Sequence, residues 1–190
     1  MEYEVINENV SIEDLKTYNY DNIGFAVLVH IEDEFGNILL QQRGSKARDD
    51  DKMYTEVGGG YEDFDNSFDE AIKREMAEEM GTKVVLEDLH PIGINHLFKN
   101  NINWIFVVYF AKYKGGNIQI MEKDKCLGYK FFTYEELMES DEVTKFCKFR
   151  SMHIKKQLNN KVLIKKWSDD HFSLYFNNLL QNSKSYHLYV

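Results

Sequence analysis

Cysteine, proline and long apolar runs are scarce in this sequence, and each shortage removes a class of protein. Two cysteines in 190 residues, Cys126 and Cys147, lie far apart. No disulfide framework is therefore expected, and a reducing cytoplasm is the expected compartment. The single proline, Pro91, accords with a chain that has no low-complexity or repeated segment. No stretch is apolar for long enough to span a bilayer. The opening "MEYEVINENVSIEDL" is acidic and lacks the basic-then-apolar layout of a signal peptide. Basic residues are also short, 23 Lys and Arg against 32 Asp and Glu, for a formal charge of −9. That balance argues against a nucleic-acid polymer as partner, since such binding rests on basic patches. It leaves open a small anionic ligand held through a metal ion.

What is present reads as one full core plus an appendage. "IGFAVLVHI" and "ILLQQR" form a hairpin around "EDEFGN". The loop "GSKARDDDKM" turns from basic to acidic, and "YTEVGGG" is a short strand running into three glycines. "SFDEAIKREMAEEMG" is a helix, with Ser67 and Glu70 in the S-x-x-E capping box and Gly81 as a left-handed C-terminal cap. "TKVVLEDL", the stretch from Ile92 to Phe98, "NWIFVVYFAKY", "IQIM" and "GYKFFT" follow as strands, with "KGGN" as a turn before "IQIM". The short helix "YEELME" comes next. One long helix among about seven strands predicts an α+β fold with a mixed sheet over 1–142. Residues 143–190 form a helical C-terminal extension, "TKFCKFRSMHIKKQL" and "DDHFSLYFNNLLQN", packed on the same domain. The segment "HFSLYFNNLL" is a candidate homodimer contact or an internal helix face.

"REMAEEMG" gathers glutamates at a spacing where like charges repel. At about 100° per residue, Phe68, Ile72, Met76 and Met80 make the core stripe. Glu79 falls inside that stripe, Glu75 beside it and Glu78 one step further round. Asp69 has Lys73, and Glu70 has Arg74, as i,i+4 partners, whereas Glu75 and Glu79 have only each other. An unpaired carboxylate at such a seam costs several kcal/mol unless it is neutralised or binds a cation. Hard oxygen ligands suit Mg2+, with Mn2+ as the second choice. The glycines before the helix let the backbone approach a ligand.

These residues resemble the Nudix hydrolases (MutT-like), whose signature is G-x5-E-x7-R-E-U-x-E-E-x-G-U with U aliphatic. Gly60, Arg74, Glu75, Met76, Glu78, Glu79 and Gly81 match at the required spacing. The first glutamate falls on Asn66 and the last aliphatic position on Thr82. Glu62, Asp63 and Asp65 lie close enough to compensate for Asn66. The resemblance covers roughly residues 20 to 140 and implies an α/β/α sandwich around a mixed sheet. It implies Glu75, Glu78 and Glu79 as metal ligands, joined by the Gly60 carbonyl, with Arg74 orienting the cluster. It also implies metal-assisted attack of water on a pyrophosphate. Glu122 in "IMEKDKC" is the distal candidate for ligand or general base.

"MEKDKCLGYKFFTYEEL" resembles M-E-P-x-K-C-x-x-W-x-W in members that cleave nucleoside triphosphates, which implies a nucleoside monophosphate and pyrophosphate as products. Phe98, Trp104, Tyr129 and Phe131 are candidates for base stacking or for sheet packing. Arg43, Lys46 and Arg48 are candidates for phosphate contacts or solvated loop charge; their segment loosely resembles isopentenyl-diphosphate isomerase-like and coenzyme A-cleaving relatives. The alternatives are an isopentenyl-diphosphate isomerase-like or coenzyme A-type Nudix enzyme, and a catalytically weak Nudix domain used for binding.

Overall fold

The computed structural model describes residues 23–47, 52–99 and 102–159, with the side chains of 97–99 and 156–159 outside that description. Arg48, the Phe98 side chain, "DDHFSLYFNNLLQN" and the candidate dimer segment within it thus lie outside the described residues.

Seven strands form a mixed sheet: β1 (Ile23–Glu32), β2 (Ile38–Arg43), β3 (Tyr54–Thr55), β4 (Val57–Gly60), β5 (Val84–Lys99), β6 (Ile102–Gly116) and β7 (Cys126–Phe132). Among the described residues three helices accompany them: α1 (Phe68–Met80), α2 (Tyr134–Glu139) and α3 (Lys145–Asn159). The path through the sheet is β3-β2-β1-β6-β5, with β4 on β1 and β7 on β2. β1 runs parallel to β6 and antiparallel to β4. The hairpin of β1 and β2 is paired only beside its turn, at Ile31↔Leu39 and Glu32↔Ile38. Beyond it the strands part, β1 to β4 and β2 to β7.

Alternation along the strands sorts the core into two faces. Val27, Val29, Ile31, Leu39, Val57, Val107 and Tyr109 meet Ala71, Ile72 and Met80 of α1. The intervening residues turn the other way. Ile38, Leu40 and Phe132 pack with Leu137 of α2 and Cys147 of α3, and Val108 and Phe110 with Ile154 of α3. The sheet is therefore covered by α1 on one side and by α2 and α3 on the other. No described helix is long and apolar enough to cross a membrane.

Several local expectations change. "TKVVLEDL" and Ile92–Phe98 are one strand, β5, kept continuous against β6 by register shifts. β6 runs through Gly115 and Gly116, where a turn was expected. "IQIM" is not a strand, because its amide groups are used elsewhere: Gln119 N and Met121 N donate to the carbonyls of Met80 and Glu79 at 2.9 and 3.3 Å. They satisfy the carbonyls that the end of α1 leaves open. At the start of α1, Ser67 Oγ accepts from Glu70 N (3.2 Å). The reciprocal bond of the capping box goes instead to Asn66, whose N and Nδ2 donate to Glu70 Oε2 at 3.1 and 2.8 Å. Gly81 has φ +80° with an extended ψ of 167°, so the cap uses positive φ without the left-handed helical conformation.

Candidate active site

The glycine strand and α1 face each other across the first core. At Gly59 a Cβ would fall on the carboxylate of Glu75, and at Gly58, with φ +144°, on the backbone of Val27. Only glycine lets β4 pair with β1 and lie this close to the helix. The Gly58 amide donates to Glu79 Oε2 (3.0 Å), and Gln41 Nε2 donates to Glu79 Oε1 (3.1 Å). Gln41 follows Leu39 on the α1-facing side of β2 and is itself buried. A polar residue at an inward strand position was the available sequence signal for it.

Glu79 receives these two neutral donors and no cation among its described hydrogen bonds. Burial raises its carboxyl, the charges of Glu75 and Glu122 add to that, and the two donors only partly oppose them; the result is about 7. Burial also raises Glu75, against the opposing pull of Arg74, with Glu78 and Glu122 pushing the same way as burial. Glu122 is thus close enough to act on both glutamates. Its loop is closed by Lys125 N and Cys126 N, which both donate to the Glu122 carbonyl at 2.9 Å, and Lys125 Nζ bonds Glu122 Oε1 (2.7 Å). Lys125, unremarked in the sequence, places a positive charge at the edge of the acidic group.

The expected helix ion pairs are not the ones made. Tyr109 donates to Asp69 (2.5 Å), Glu70 is held by Asn66, and Arg74 turns back toward the loop before the helix. Arg74 Nη1 donates to Glu75 Oε1 (2.8 Å) and Glu78 Oε2 (3.1 Å), and Nη2 to the Gly60 carbonyl (2.8 Å). Its remaining bonds go to Asp65. Arg74, Glu75, Glu78, Glu79, Gly60 and Glu122 are therefore gathered around one end of α1. Glu78 is more open than Glu75, its side chain 53% exposed against 12%. Among the described residues no three His, Cys, Asp or Glu side chains form a ready-made metal cage.

The substrate candidates divide. Gly44 N and Lys46 N donate to the carbonyls of Lys125 and Asp124 at 2.6 and 3.1 Å, which lays the loop after β2 against the Glu122 loop. Lys46 Nζ meets Asp124 Oδ2 (2.5 Å) in the open. Arg43 closes β2 opposite Cys126. Tyr129 turns inward: its hydroxyl donates to the Glu79 carbonyl (2.8 Å), and burial raises its pKa far above the ordinary value. That bond ties Tyr129 to the C-terminal end of α1, in line with the packing alternative. Phe131 packs on Tyr113, and Trp104 lies over Gly24 and beside Phe106.

The sequence model of the NUDIX domain family matches residues 23–150. The chain belongs to the Nudix family. No curated protein is significantly similar in sequence. Among solved structures, the MutT protein of Methanosarcina mazei Go1 is similar at 21% identity and a TM-score of 0.60, over 74% of this chain and 96% of that one. A MutT Nudix hydrolase of Burkholderia pseudomallei, also 21% identical, has a TM-score of 0.58 over 68% of this chain and 95% of its own. A Nudix-family hydrolase of Clostridium perfringens gives 0.55 at 21% identity, over 70% and 97%. At these identities the likeness concerns the fold. The family match adds the class of chemistry, and as a Nudix hydrolase the chain cleaves phosphoanhydrides.

Proposed function

We propose that this Nudix hydrolase is a Mg2+-dependent pyrophosphohydrolase, with Mn2+ able to substitute. Its substrate is a nucleoside di- or triphosphate derivative. The products are a nucleoside monophosphate and pyrophosphate or a phosphate-containing fragment. The observation that carries the reading is the geometry of α1 against the glycine strand: Glu79 is held by the Gly58 amide and Gln41, with no cation among its described bonds, on the helix that also carries Glu75 and Glu78. Glu75, Glu78 and Glu122 share the cations Arg74 and Lys125, and Glu79 has none among its described bonds, which is the charge a divalent cation would complete.

The donor set fits such an ion, since Glu75, Glu78, Glu79 and Glu122 offer hard carboxylate oxygens of the kind Mg2+ and Mn2+ prefer. The Gly60 carbonyl keeps a second lone pair beyond its bond to Arg74. Bound there, the ion would neutralise the pyrophosphate and lower the pKa of a water. The chain's own residues do the rest. Arg74 holds the Glu75 carboxylate and the Gly60 carbonyl in fixed orientation. Gln41 and the Gly58 amide hold Glu79 from the sheet side. Glu75, Glu79 and Glu122 are the candidates to take the proton of the attacking water. Arg43 at the end of β2 and Lys46 on the loop after it supply positive charge for the substrate phosphates. The reducing cytoplasm is the proposed compartment.

Release of phosphate or pyrophosphate from a panel of nucleotides and sugar nucleotides with Mg2+, for the wild type and Glu79→Gln, tests this. Turnover on at least one substrate, lost in the variant, is expected. No turnover on any, together with no Mg2+ binding, overturns the reading.

A further inference from the structure

The Nudix signature calls for a glutamate at position 66, where this chain has Asn66. The structure shows what Asn66 does instead. It is exposed, and both its amide groups are spent on Glu70. Arg74 nevertheless has a buried carboxylate partner, Asp65, which is 7% exposed. Asp65 Oδ1 accepts from Arg74 Nε (3.0 Å) and Oδ2 from Nη2 (2.9 Å), a two-point fork.

Asp65 is itself fixed from three sides. Its Oδ2 also accepts from Glu62 N (2.9 Å), its amide donates to the Glu62 carbonyl (3.0 Å), and its carbonyl accepts from the Tyr61 hydroxyl (2.6 Å). A guanidinium has five N–H donors. With the bonds to Glu75, Glu78 and Gly60, all five of Arg74's are used, and Asp65 takes the two that set the plane of the fork.

We propose that Asp65 is the positioning residue for the metal-binding end of α1, supplying from one residue earlier the carboxylate that Asn66 lacks. Its charge keeps the Arg74 fork turned toward the loop, so that only Nη1 reaches the helix carboxylates. Without that charge the guanidinium is free to close on Glu75 and Glu78 and compete with a cation for their oxygens. This rests on the metal-dependent reading above, and its test is chosen to fail separately from it.

The variants are Asp65→Asn, Asn66→Glu and the pair Asp65→Asn/Asn66→Glu, which restores the net charge and puts a carboxylate where the signature has one. Mn2+ affinity is read from the paramagnetic resonance of free Mn2+ during titration, and turnover from the four deoxynucleoside triphosphates. Asp65→Asn is expected to weaken Mn2+ binding and lower kcat by roughly 10- to 100-fold with KM little changed, the usual cost of losing an outer-shell partner. The paired variant is expected to recover most of both losses. Wild-type Mn2+ affinity in Asp65→Asn overturns the proposal. So does a paired variant no better than Asp65→Asn while Asn66→Glu alone is harmless. A purely structural role would lower the melting temperature and leave Mn2+ affinity and kcat intact well below it, which overturns it equally. If no nucleotide is turned over by the wild type, the substrate reading falls, and the Mn2+ titration still decides the role of Asp65.

Discussion

Two glutamates on opposite faces of the sheet, Glu56 buried and Glu79 half-buried, meet opposite fates. Glu56, just before the glycine strand, is 2% exposed and lies against α3, where Arg150 Nε donates to Oε1 (2.7 Å) and Nη2 to Oε2 (2.5 Å). Burial alone would raise its carboxyl, but the charge and hydrogen bonds of Arg150 outweigh it and bring it down to about 2. Glu79, on the α1 side, has amide donors and acidic neighbours and stands at about 7. Gln41 touches both, donating to the Glu56 carbonyl (3.3 Å) and to the Glu79 carboxylate. Glu56 with its own guanidinium is closed structure, while Glu79 without one is the carboxylate proposed to meet a cation. The cost of that choice sits where the chemistry is proposed.

The largest effect should come from breaking the closed side. Arg150→Met leaves Glu56 buried without its counter-charge and is expected to cost about 3–5 kcal/mol of stability by denaturant unfolding. Glu56→Gln/Arg150→Met should recover most of that. A single variant as stable as the wild type would show that the pair is not what holds α3 to the sheet.

On the open side the sign reverses. Glu79→Gln should lose turnover by about 10²–10³-fold, the range for removing one group aimed at the reacting centre. At pH 8 without metal it should melt higher than the wild type, because the raised carboxyl no longer has to ionise. A fall in melting temperature there would contradict the view of Glu79 as an uncompensated charge.

The pH dependence separates the two glutamates without mutation. The folded carboxyl of Glu79, near 7, lies above the ordinary 4.5, so between these values the folded chain binds more protons and stability falls as pH rises. Glu56, near 2, gives stability that is fully present above 4.5 and lost as pH falls through 2. Melting in EDTA should therefore decline from about pH 5 toward 7. Saturating Mn2+ should abolish the decline, since it favours the ionised form. Persistence of the same slope in Mn2+ would separate Glu79 from metal binding.

The smallest effect is expected at the join between sheet and helix end. Tyr129→Phe removes one hydrogen bond to the Glu79 carbonyl and should cost about 1 kcal/mol in unfolding, with KM unchanged. A rise in KM for the nucleotide would return Tyr129 to the substrate site.

Much of the candidate site was legible because its signals are local. The 3.6-residue stripe of Phe68, Ile72, Met76 and Met80 placed Glu79 at the seam before any fold was known, and Ile72 and Met80 are indeed fully buried. The partners of those glutamates were not legible. Gln41 is 38 positions from Glu79, and the Gly58 amide 21 positions. "IQIM" was misread for a similar reason. Its apolar residues suit a strand, but its amide groups answer to the helix end that lies beside it.

Helical periodicity, the glycines before α1 and the spacing of "REMAEEMG" belong to the sequence alone, since each depends on neighbours within a few turns of chain. With them came the family and the class of reaction. Which carboxylate would be neutralised and which left charged was settled only in three dimensions. Whether a guanidinium reaches a glutamate, as Arg150 reaches Glu56 and none reaches Glu79 among its described bonds, is a matter of which elements the fold brings together. Near Asn66 the sequence offered Glu62, Asp63 and Asp65 as replacement carboxylates, and only the turn between β4 and α1 decided that Asp65 is the one that meets Arg74.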